Sequence, residues 1–588
     1  MTETKPNLLP LIGGVVVVVA GGVGAYFFLN NKLNILPTGN AVGTLSIVPK
    51  QSLMAMSLST DGKALAQIEQ FLSPETKKLY DDAIVQVRKN MSSGDFDYEK
   101  DVKPWIGKSV TVAFLPSVKT ASLVPLKSAA LIQDRLENRY VPISNTGSIQ
   151  FVQDKTAAPE ATVTSMPNIL VVVEVKDKAG AEKFMADRVK AKSGGKEKQS
   201  DYKGVKITQY GEGSTATATA MVGDYLIFAP TEQNTQKAID TFKGEASIAN
   251  SVSADDLKLK NPVVQVYIPN FGESIVELSA LNPNAQPISP ESLQQLKSVK
   301  SINMGIGIDD AGIRFKALSK VDAATIAVLK NSPNKIISQI PSQAFSVVTG
   351  SNIKGSWEQF VKSADNIPEV KKSINDLRTQ LKSSPLVLDL DKDIFGWMDG
   401  EFALASVLAK PEGILAQTQG IGPVLMLQTT NRTAGESLFS KLDDFVTKNG
   451  GKVGKKDVGG VAVVEWSFPG APGAIISYGW NQKDMLFMTA SPITSLFVPK
   501  PASSLESDPT FKSVVSSLPG TNVGYFYIDA DKTWNIVQTF MPPAEKEKTP
   551  PEIKALITTI RGLAVTAVYP NAETAEVEAI ISLKKGGK

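Results

Sequence analysis

The feature that most constrains the fold is a repeat within the chain of 588 residues. Short motifs of the first half return in the same order in the second half. The run DVKPWIG at residues 101–107 returns as DIFGWMDG at 393–400, and VVQVYI at 263–268 returns as VGYFYI at 523–528. Ordered recurrence of this kind indicates a duplicated structural unit.

Each copy contains many strand-like runs, frequent hairpin turns and a few amphipathic helices. This pattern is typical of antiparallel sheets that carry helices on a face. The predicted fold class is therefore α+β, with an N-terminal transmembrane helix followed by two tandem homologous α+β lobes with mainly antiparallel sheets. The predicted boundaries are 1–30 for the cytoplasmic tail and anchor, 31–44 for a tether, 45–321 for repeat 1, 322–335 for a linker and 336–584 for repeat 2.

The two copies differ in length at one place. Trp105 and Ala179 are 74 residues apart, whereas the matching Trp397 and Ala434 are 37 residues apart. The extra residues fall in a stretch rich in serine, threonine, alanine and proline. We therefore predict an insertion in repeat 1 at about residues 117–166.

Hairpins are predicted most clearly at the end of each copy. Residues 302–319 read INMGIGI-DDAG-IRFKALS, in which two runs of period two flank a turn-forming sequence. Residues 563–583 of the second copy, LAVTAVYPNAETAEVEAIISL, follow the same pattern. The run ILVVVEV at 169–175 predicts a largely buried strand.

Residues 8–29 contain no charge over 22 positions, which is long enough for a helix to cross a hydrocarbon core. A cleaved signal peptide is the alternative, since Val23-Gly24-Ala25 would suit a signal peptidase. We favour an uncleaved anchor because the apolar run is longer than a usual signal core and Lys5 is the only basic residue before it. The predicted location is a single-pass protein of the plasma or thylakoid membrane, with its bulk outside the cytoplasm.

The chain contains neither cysteine nor histidine. Catalysis by serine–histidine–acid or cysteine–histidine groups is therefore excluded, as are the usual zinc sites and histidine-ligated haem. A net charge of +3 is too small to indicate nucleic-acid binding. We predict a protein that is not an enzyme and has no cofactor, with a carboxylate-dependent hydrolase as the enzymatic alternative.

Three acids have the spacing of a calcium loop: Asp389, Asp391 and Asp393. Ile394 stands where that loop needs glycine, and Gly400 stands where it needs a bidentate glutamate. The alternative is that the acids cap a short helix that positions Trp397. We favour the capping role and predict no metal site.

Two tryptophan motifs match each other, Asp101-Trp105-Gly107 in repeat 1 and Asp393-Trp397-Gly400 in repeat 2. A tryptophan that is followed by an apolar residue and glycine is typical of a core anchor at a helix end. In that interpretation the glycine takes the left-handed cap conformation. Binding aromatics are the alternative.

The motif Ser-x-x-Lys of penicillin-binding enzymes occurs at residues 193–196 and 332–335. The first match lies in a turn rich in glycine and lysine, and the second contains a helix-breaking proline. Because neither opens an apolar helix, we interpret both as chance matches.

The uncharged N-terminal stretch, the segment FDYEKDVKPWIG at 96–107 and the tandem organisation together resemble a cyanobacterial family of membrane-anchored proteins built around a domain of unknown function. The resemblance covers nearly the whole chain and implies an anchored envelope or thylakoid protein. It supplies no catalytic residue. Our hypothesis is a non-catalytic binding or scaffold protein, which contacts the membrane through its N-terminal helix and has a membrane protein or an apolar ligand as partner. A carrier or chaperone for lipid, pigment or membrane protein is the alternative.

Overall fold

The structure is a computed structural model. It describes residues 42–586 except 61, 79, 83–97, 117–167, 191–194, 213–215, 252–256, 281–287, 289, 324–329, 366 and 483. The predicted anchor and most of the tether, at 1–41, and the predicted insertion at 117–166 lie outside these residues.

Ten strands lie in each half of the described chain. In the first half they are β1 (Met54–Ser59), β2 (Ile106–Phe114), β3 (Ile169–Val175), β4 (Glu197–Tyr202), β5 (Val205–Tyr210), β6 (Thr217–Val222), β7 (Tyr225–Ala229), β8 (Pro262–Pro269), β9 (Val299–Asp309) and β10 (Gly312–Val321). In the second half they are β11 (Ala344–Ser351), β12 (Glu401–Leu408), β13 (Ile421–Gln428), β14 (Lys452–Val458), β15 (Val461–Ser467), β16 (Ala474–Asn481), β17 (Met485–Ala490), β18 (Tyr525–Asp529), β19 (Ile560–Asn571) and β20 (Thr574–Leu583).

The helices lie between the strands and often begin at a side-chain cap. Thr231 accepts from the N–H of Asn234 at the start of α4, for example, and Asn431 accepts from the N–H of Ala434 at the start of α9. The α-helices are α1 (Val42–Leu45), α2 (Lys63–Glu69), α3 (Lys178–Phe184), α4 (Glu232–Phe242), α5 (Phe271–Ser279), α6 (Pro290–Lys297), α7 (Ile353–Ala364), α8 (Pro368–Ser383), α9 (Arg432–Lys448), α10 (Pro509–Val515), α11 (Ala530–Phe540), α12 (Pro543–Lys548) and α13 (Pro551–Thr559). Single π-turns lie at Tyr98–Val102, Met185–Lys190 and Leu390–Phe395, and 3₁₀ turns at Ile248–Asn250, Lys335–Gln339, Gly413–Thr418, Ser491–Leu496 and Leu505–Ser507.

The twenty described strands form one antiparallel sheet. Their order across the sheet is β4-β5-β6-β7-β3-β2-β1-β8-β9-β10-β20-β19-β18-β11-β12-β13-β17-β16-β15-β14. Counted inwards from either edge, the strands of the two halves follow the same sequential order. The halves meet where β10 pairs with β20, from Gly312–Ser582 to Lys320–Thr574.

The predicted fold class is wrong in one respect, although α+β and antiparallel pairing are correct. The β10–β20 ladder joins the strands of the two predicted lobes into one sheet. The error is the transmembrane helix with which the predicted fold began. Among the helices in the described part of the chain, none has both the length and the apolar character needed to cross a bilayer.

The sheet has two faces, each with buried clusters. We call one the tryptophan face, because the clusters of Trp105 and Trp397 pack on it together with α3, α5, α6 and α9. We call the other the arginine face, because it carries Arg314. In each half the arginine face is covered by short helices, including α4 in the first half and α10 in the second.

Candidate functional site

The predicted calcium ligands each have protein partners. Asp391 accepts hydrogen bonds from Trp357 Nε1 at 2.8 Å and from Arg378 Nε and Nη2 at 2.8 and 2.9 Å. Asp389 accepts from the backbone N–H groups of Asp391 and Lys392, both at 3.0 Å. Asp393 accepts from Asp389 N at 2.9 Å and from Lys441 Nζ at 3.0 Å.

These partners hold all three carboxyl groups in the charged form. The Arg378 hydrogen bonds lower the pKa of Asp391, and the N–H of Lys392 lowers the pKa of Asp389. Burial alone would raise the pKa of Asp393, but the N–H of Asp389 and the Lys441 ammonium outweigh it and lower that pKa. A calcium ion would have to displace these partners. Within the described residues, no three acidic side chains are close enough together to hold a metal ion.

The tryptophans of the two motifs are buried. Trp397 Nε1 donates to the carbonyl of Asp393 at 3.0 Å, and Trp105 Nε1 donates to the carbonyl of Asp101 at 2.7 Å. In both bonds the acceptor lies four residues before the tryptophan, within the preceding π-turn. The geometry agrees with a core anchor and leaves neither indole ring open to a ligand.

Glycines allow close approach at both tryptophans. A Cβ on Gly180 of α3 would lie 2.9 Å from Trp105 Cβ, and a Cβ on Gly435 of α9 would lie 3.3 Å from Trp397 Cε3. This contact explains why the Ala-Gly pair recurs with the tryptophan in both halves.

The left-handed conformation predicted for Gly107 and Gly400 is wrong. Neither glycine has a positive φ. Each instead lies where a side chain would collide with the neighbouring strand, because a Cβ would lie 2.6 Å from Glu174 Cγ and 2.4 Å from the carbonyl oxygen of Gln428 respectively.

The Ser-x-x-Lys match at 332–335 does not form a catalytic pair. Ser332 is buried and its hydroxyl donates to Glu401, whereas Lys335 is exposed. The other match includes residues 193 and 194, which lie outside the described residues.

The feature that sequence reasoning missed is a row of apolar side chains across the middle of the tryptophan face. Directly paired residues on neighbouring antiparallel strands share a face, so the ladder registers define the row. It crosses β8, β9, β10, β20, β19, β18, β11, β12 and β13, in that order. We call these nine residues the central row: Val264, Ile306, Phe315, Ala579, Val565, Phe526, Val348, Leu404 and Leu425.

Four members of the central row are more than a third exposed. The exposed fractions are 37% for Ile306, 41% for Phe526, 40% for Val348 and 51% for Leu404. Among the described strands, the only other large apolar residue with such exposure is Leu408, which lies four positions along β12 from Leu404 and hence on the same face. Exposed apolar residues of the sheet are thus confined to one face.

The rows on either side of the central row carry no charge. One consists of apolar or glycine residues: Met304, Ala317, Val577, Ala567, Gly350, Phe402 and Leu427. The other contains two hydroxyl groups among apolar residues: Ile308, Ile313, Ile581, Leu563, Ile528, Ser346, Ser406 and Pro423.

The opposite face is ionic at the same strands. Arg314 and Lys316 of β10 meet Glu578 of β20, and Arg314 Nε also lies 2.6 Å from Asp309 Oδ2. The charges at the junction of the two halves are therefore all on the arginine face, and the tryptophan face there is left uncharged.

Comparison of the sequence with known proteins identifies a family whose function is unknown. The family described as "Protein of unknown function (DUF3352)" matches residues 11–583. No curated protein matches the sequence. Crystal forms III and IV of TP0453 are similar at 8% identity, covering 48% of this chain and 80–81% of that chain, with a TM-score of 0.23. A score this low carries no argument about fold or function.

Proposed function

Because this chain belongs to the DUF3352 family of proteins of unknown function, which provides no precedent, we propose a function from its own structure. The protein is a non-catalytic binding protein, and the tryptophan face receives an apolar partner along the central row. The observation that carries this proposal is the exposure of four large apolar side chains in one uncharged row.

A row of apolar side chains in contact with water costs free energy unless a partner covers it. Contiguous apolar patches on a soluble protein mark sites of interaction. Burying the exposed part of a leucine or phenylalanine contributes roughly 25 cal/mol per Å² of apolar area. Scattered single residues would need no explanation, but Phe526, Val348 and Leu404 lie side by side on β18, β11 and β12 and form one continuous surface.

The carboxylate-dependent hydrolase finds less support. Such an enzyme needs a general acid with a raised pKa. Among the described residues, each carboxyl group whose pKa departs clearly from its ordinary value has a lowered pKa: Glu75, Asp389, Asp391, Asp393 and Asp399. This favours binding over catalysis.

Two finer statements belong to the same proposal. One is that the two halves arose by duplication, which the shared strand order supports, in a cyanobacterial protein, for which the support is the sequence resemblance alone. The other is an extracytoplasmic location at the plasma or thylakoid membrane, which the absence of cysteine and the apolar N-terminal stretch support. Protease protection in sealed vesicles tests the location, since an extracytoplasmic bulk is cleaved only from the periplasmic or lumenal side and is protected from the cytoplasmic side.

An environment-sensitive dye tests the binding surface in the full-length protein. We expect bright dye fluorescence with the wild type and a large loss with Leu404→Glu or Phe526→Glu, because each places a charge in the row. Leu377→Glu is the matched control, since Leu377 is an exposed leucine on α8, outside the row. Equal dye binding by all four proteins would refute the proposal.

A further inference from the structure

We infer that the charges on β10 and β20 make the junction of the sheet selective. A first half pairs with a second half, of its own chain or of another copy, and not with a half of its own kind. This inference concerns the junction and goes beyond the binding proposed for the tryptophan face. It follows from the symmetry of the ladder and from the signs of the charges in it.

The ladder registers show which residues of β10 and β20 occupy equivalent positions. The strands β8 and β18 carry the matching runs VVQVYI and VGYFYI, so Val266 is equivalent to Phe526. From Val266 the ladders lead across β9 to Ala317 on β10, and from Phe526 they lead across β19 to Ala579 on β20. Ala317 and Ala579 are therefore equivalent, and they lie 262 residues apart.

The junction is centred on a local two-fold axis. With the same spacing, Lys316 of β10 is equivalent to Glu578 of β20, and these two residues are direct partners in the ladder. A residue that pairs with its own equivalent lies on the two-fold axis of the two strands. If two identical halves met in this way, the residue at this position would lie opposite itself.

The ion pairs follow this axis with their charges exchanged. Lys316 Nζ lies 3.1 Å from Glu578 on the axis. Arg314 contacts Glu578 on one side, and the equivalent contact on the other side joins Glu576 to Lys316, at 3.9 Å. β10 contains no acidic residue, and β20 contains no basic residue. The first half therefore supplies every cation of these contacts and the second half every anion.

The apolar face of the same two strands does not select a partner. In the observed junction Phe315 lies opposite Ala579, and Ala317 lies opposite Val577. Two first halves would place Phe315 opposite Ala317, and two second halves would place Val577 opposite Ala579. Each arrangement sets a large side chain against a small one, and the backbone hydrogen bonds of an antiparallel ladder are the same in all three. Selection between them therefore depends on charge.

Charge distinguishes the three arrangements. Two first halves would bring Lys316 against Lys316, with an Arg314 side chain on either side, and two second halves would bring Glu578 against Glu578. Like charges directly opposite each other destabilise a strand pair. Because the Arg314, Lys316 and Glu578 side chains are only 8%, 14% and 4% exposed, water would screen little of this repulsion. The junction thus selects its partner by penalising the wrong one as well as by attracting the right one.

The test uses two full-length copies whose own junctions do not match. One copy carries Glu578→Lys, which places a cation opposite Lys316, and the other carries Lys316→Glu, which places an acid opposite Glu578. β10 of the first copy and β20 of the second copy keep their wild-type charges. We therefore expect the two copies, when they are expressed together, to pair through these two strands.

Introduced cysteines report which strands pair, because the chain contains no cysteine of its own. Ala317→Cys in the first copy and Val577→Cys in the second copy lie opposite each other when β10 of one pairs with β20 of the other. Phe315→Cys and Ala317→Cys, on two copies that both carry Glu578→Lys, lie opposite each other when two β10 strands pair. We expect the first cross-link to exceed the second at least about tenfold, because like charges oppose each other in the second arrangement.

A charge reversal away from the junction is the matched control. Asp376→Lys in one copy and Lys372→Glu in the other reverse an exposed pair on α8. With the cysteines at 317 and 577, these copies should cross-link no more than copies with wild-type charges.

Two results would overturn the inference. One is cross-linking of two β10 strands to the same extent as β10 with β20, because charge would then not select the partner. The other is no cross-link between the mismatched copies, because a junction selected by charge should form with the matched strand. If the reversed charges prevent folding, Glu578→Gln and Lys316→Gln replace them in the same design, and the preference for β10 with β20 is expected to remain.

Discussion

Replacing Glu578 by glutamine removes the charge that joins the two halves of the sheet. Glu578 of β20 accepts from Arg314 Nη1, and its other oxygen lies 3.1 Å from Lys316 Nζ. The exposed fractions of the Arg314 and Glu578 side chains are only 8% and 4%. Asp309 is the second acid on Arg314. The substitution leaves Arg314 and Lys316 with one carboxylate fewer at a site that is nearly closed to solvent.

The expected cost follows from this geometry. Removing one partner of a buried ion pair destabilises a protein by about 3–5 kcal/mol, because the remaining charge stays buried. Arg314 retains Asp309 at 2.6 Å, and Lys316 retains Glu576 at 3.9 Å. We therefore expect Glu578→Gln to lower the free energy of unfolding by about 3 kcal/mol, at the lower end of that range.

Urea unfolding followed by tryptophan fluorescence measures this loss. Asp376→Asn is the control, since Asp376 pairs with Lys372 at 2.6 Å on the surface and should cost under about 1 kcal/mol. Combining Glu578→Met with Arg314→Met should cost less than the sum of the two single changes, because the contact between Arg314 and Glu578 is counted in both single changes but lost only once in the double change. A loss below about 1 kcal/mol for Glu578→Gln would refute the reasoning that the junction depends on a buried charge network.

The remaining predictions concern the tryptophan motif of the second half. Trp397→Ala should lower the free energy of unfolding by about 3–5 kcal/mol in urea titrations, because a buried ring is lost; a loss near zero would contradict a core role. Gly435→Ala should cost about 1–3 kcal/mol and change the near-ultraviolet circular dichroism, because its Cβ would lie 2.9 Å from Trp480 Cη2; an unchanged spectrum would argue against this contact. Asp391→Asn tests the lowered pKa of that carboxyl. A group whose folded pKa is lowered stabilises the protein above its unfolded pKa of about 3.9 and stops doing so as the pH falls through the folded value. The Tm gap between wild type and Asp391→Asn should thus be full at neutral pH and close under strong acid, and a gap that persists there would show that Arg378 does not act through charge.

Local patterns predicted the strands well. The period-two run with its DDAG turn is the β9–β10 hairpin, which turns between Asp309 and Gly312, and ILVVVEV is β3. These segments carry their own signal, because alternation and turn residues are local properties. The pairing of β10 with β20 has no local signal. Arg314 and Lys316 read as solvent-facing residues, and their partner Glu578 is 264 residues from Arg314 in the sequence.

The candidate site was even less accessible to sequence reasoning. Val348 and Leu404 stand in runs such as FALASVL that look the same as runs in a closed core. Their exposure depends on where the helices pack, and this is a property of the tertiary structure. The acids and tryptophans stood out in the sequence, but in the structure Asp389 caps a helical turn, Asp391 and Asp393 pair with Arg378 and Lys441, and the tryptophans are buried. The only sequence signal for this apolar surface was the absence of charged residues at alternate positions of β18, β11 and β12.

The β10–β20 ladder also has a consequence for biosynthesis. Leu583 at the end of β20 follows Val321 at the end of β10 by 262 residues, so a ribosome that adds about 5–20 residues per second delivers the partner strand roughly 10–50 s after β10 is complete. During that interval β10 has no partner strand on the side where β20 pairs with it. Arg314, Lys316 and Lys320 lie along that edge, and charged side chains discourage pairing with a foreign strand. The same cations that later hold the halves together would thus keep the growing chain from aggregating.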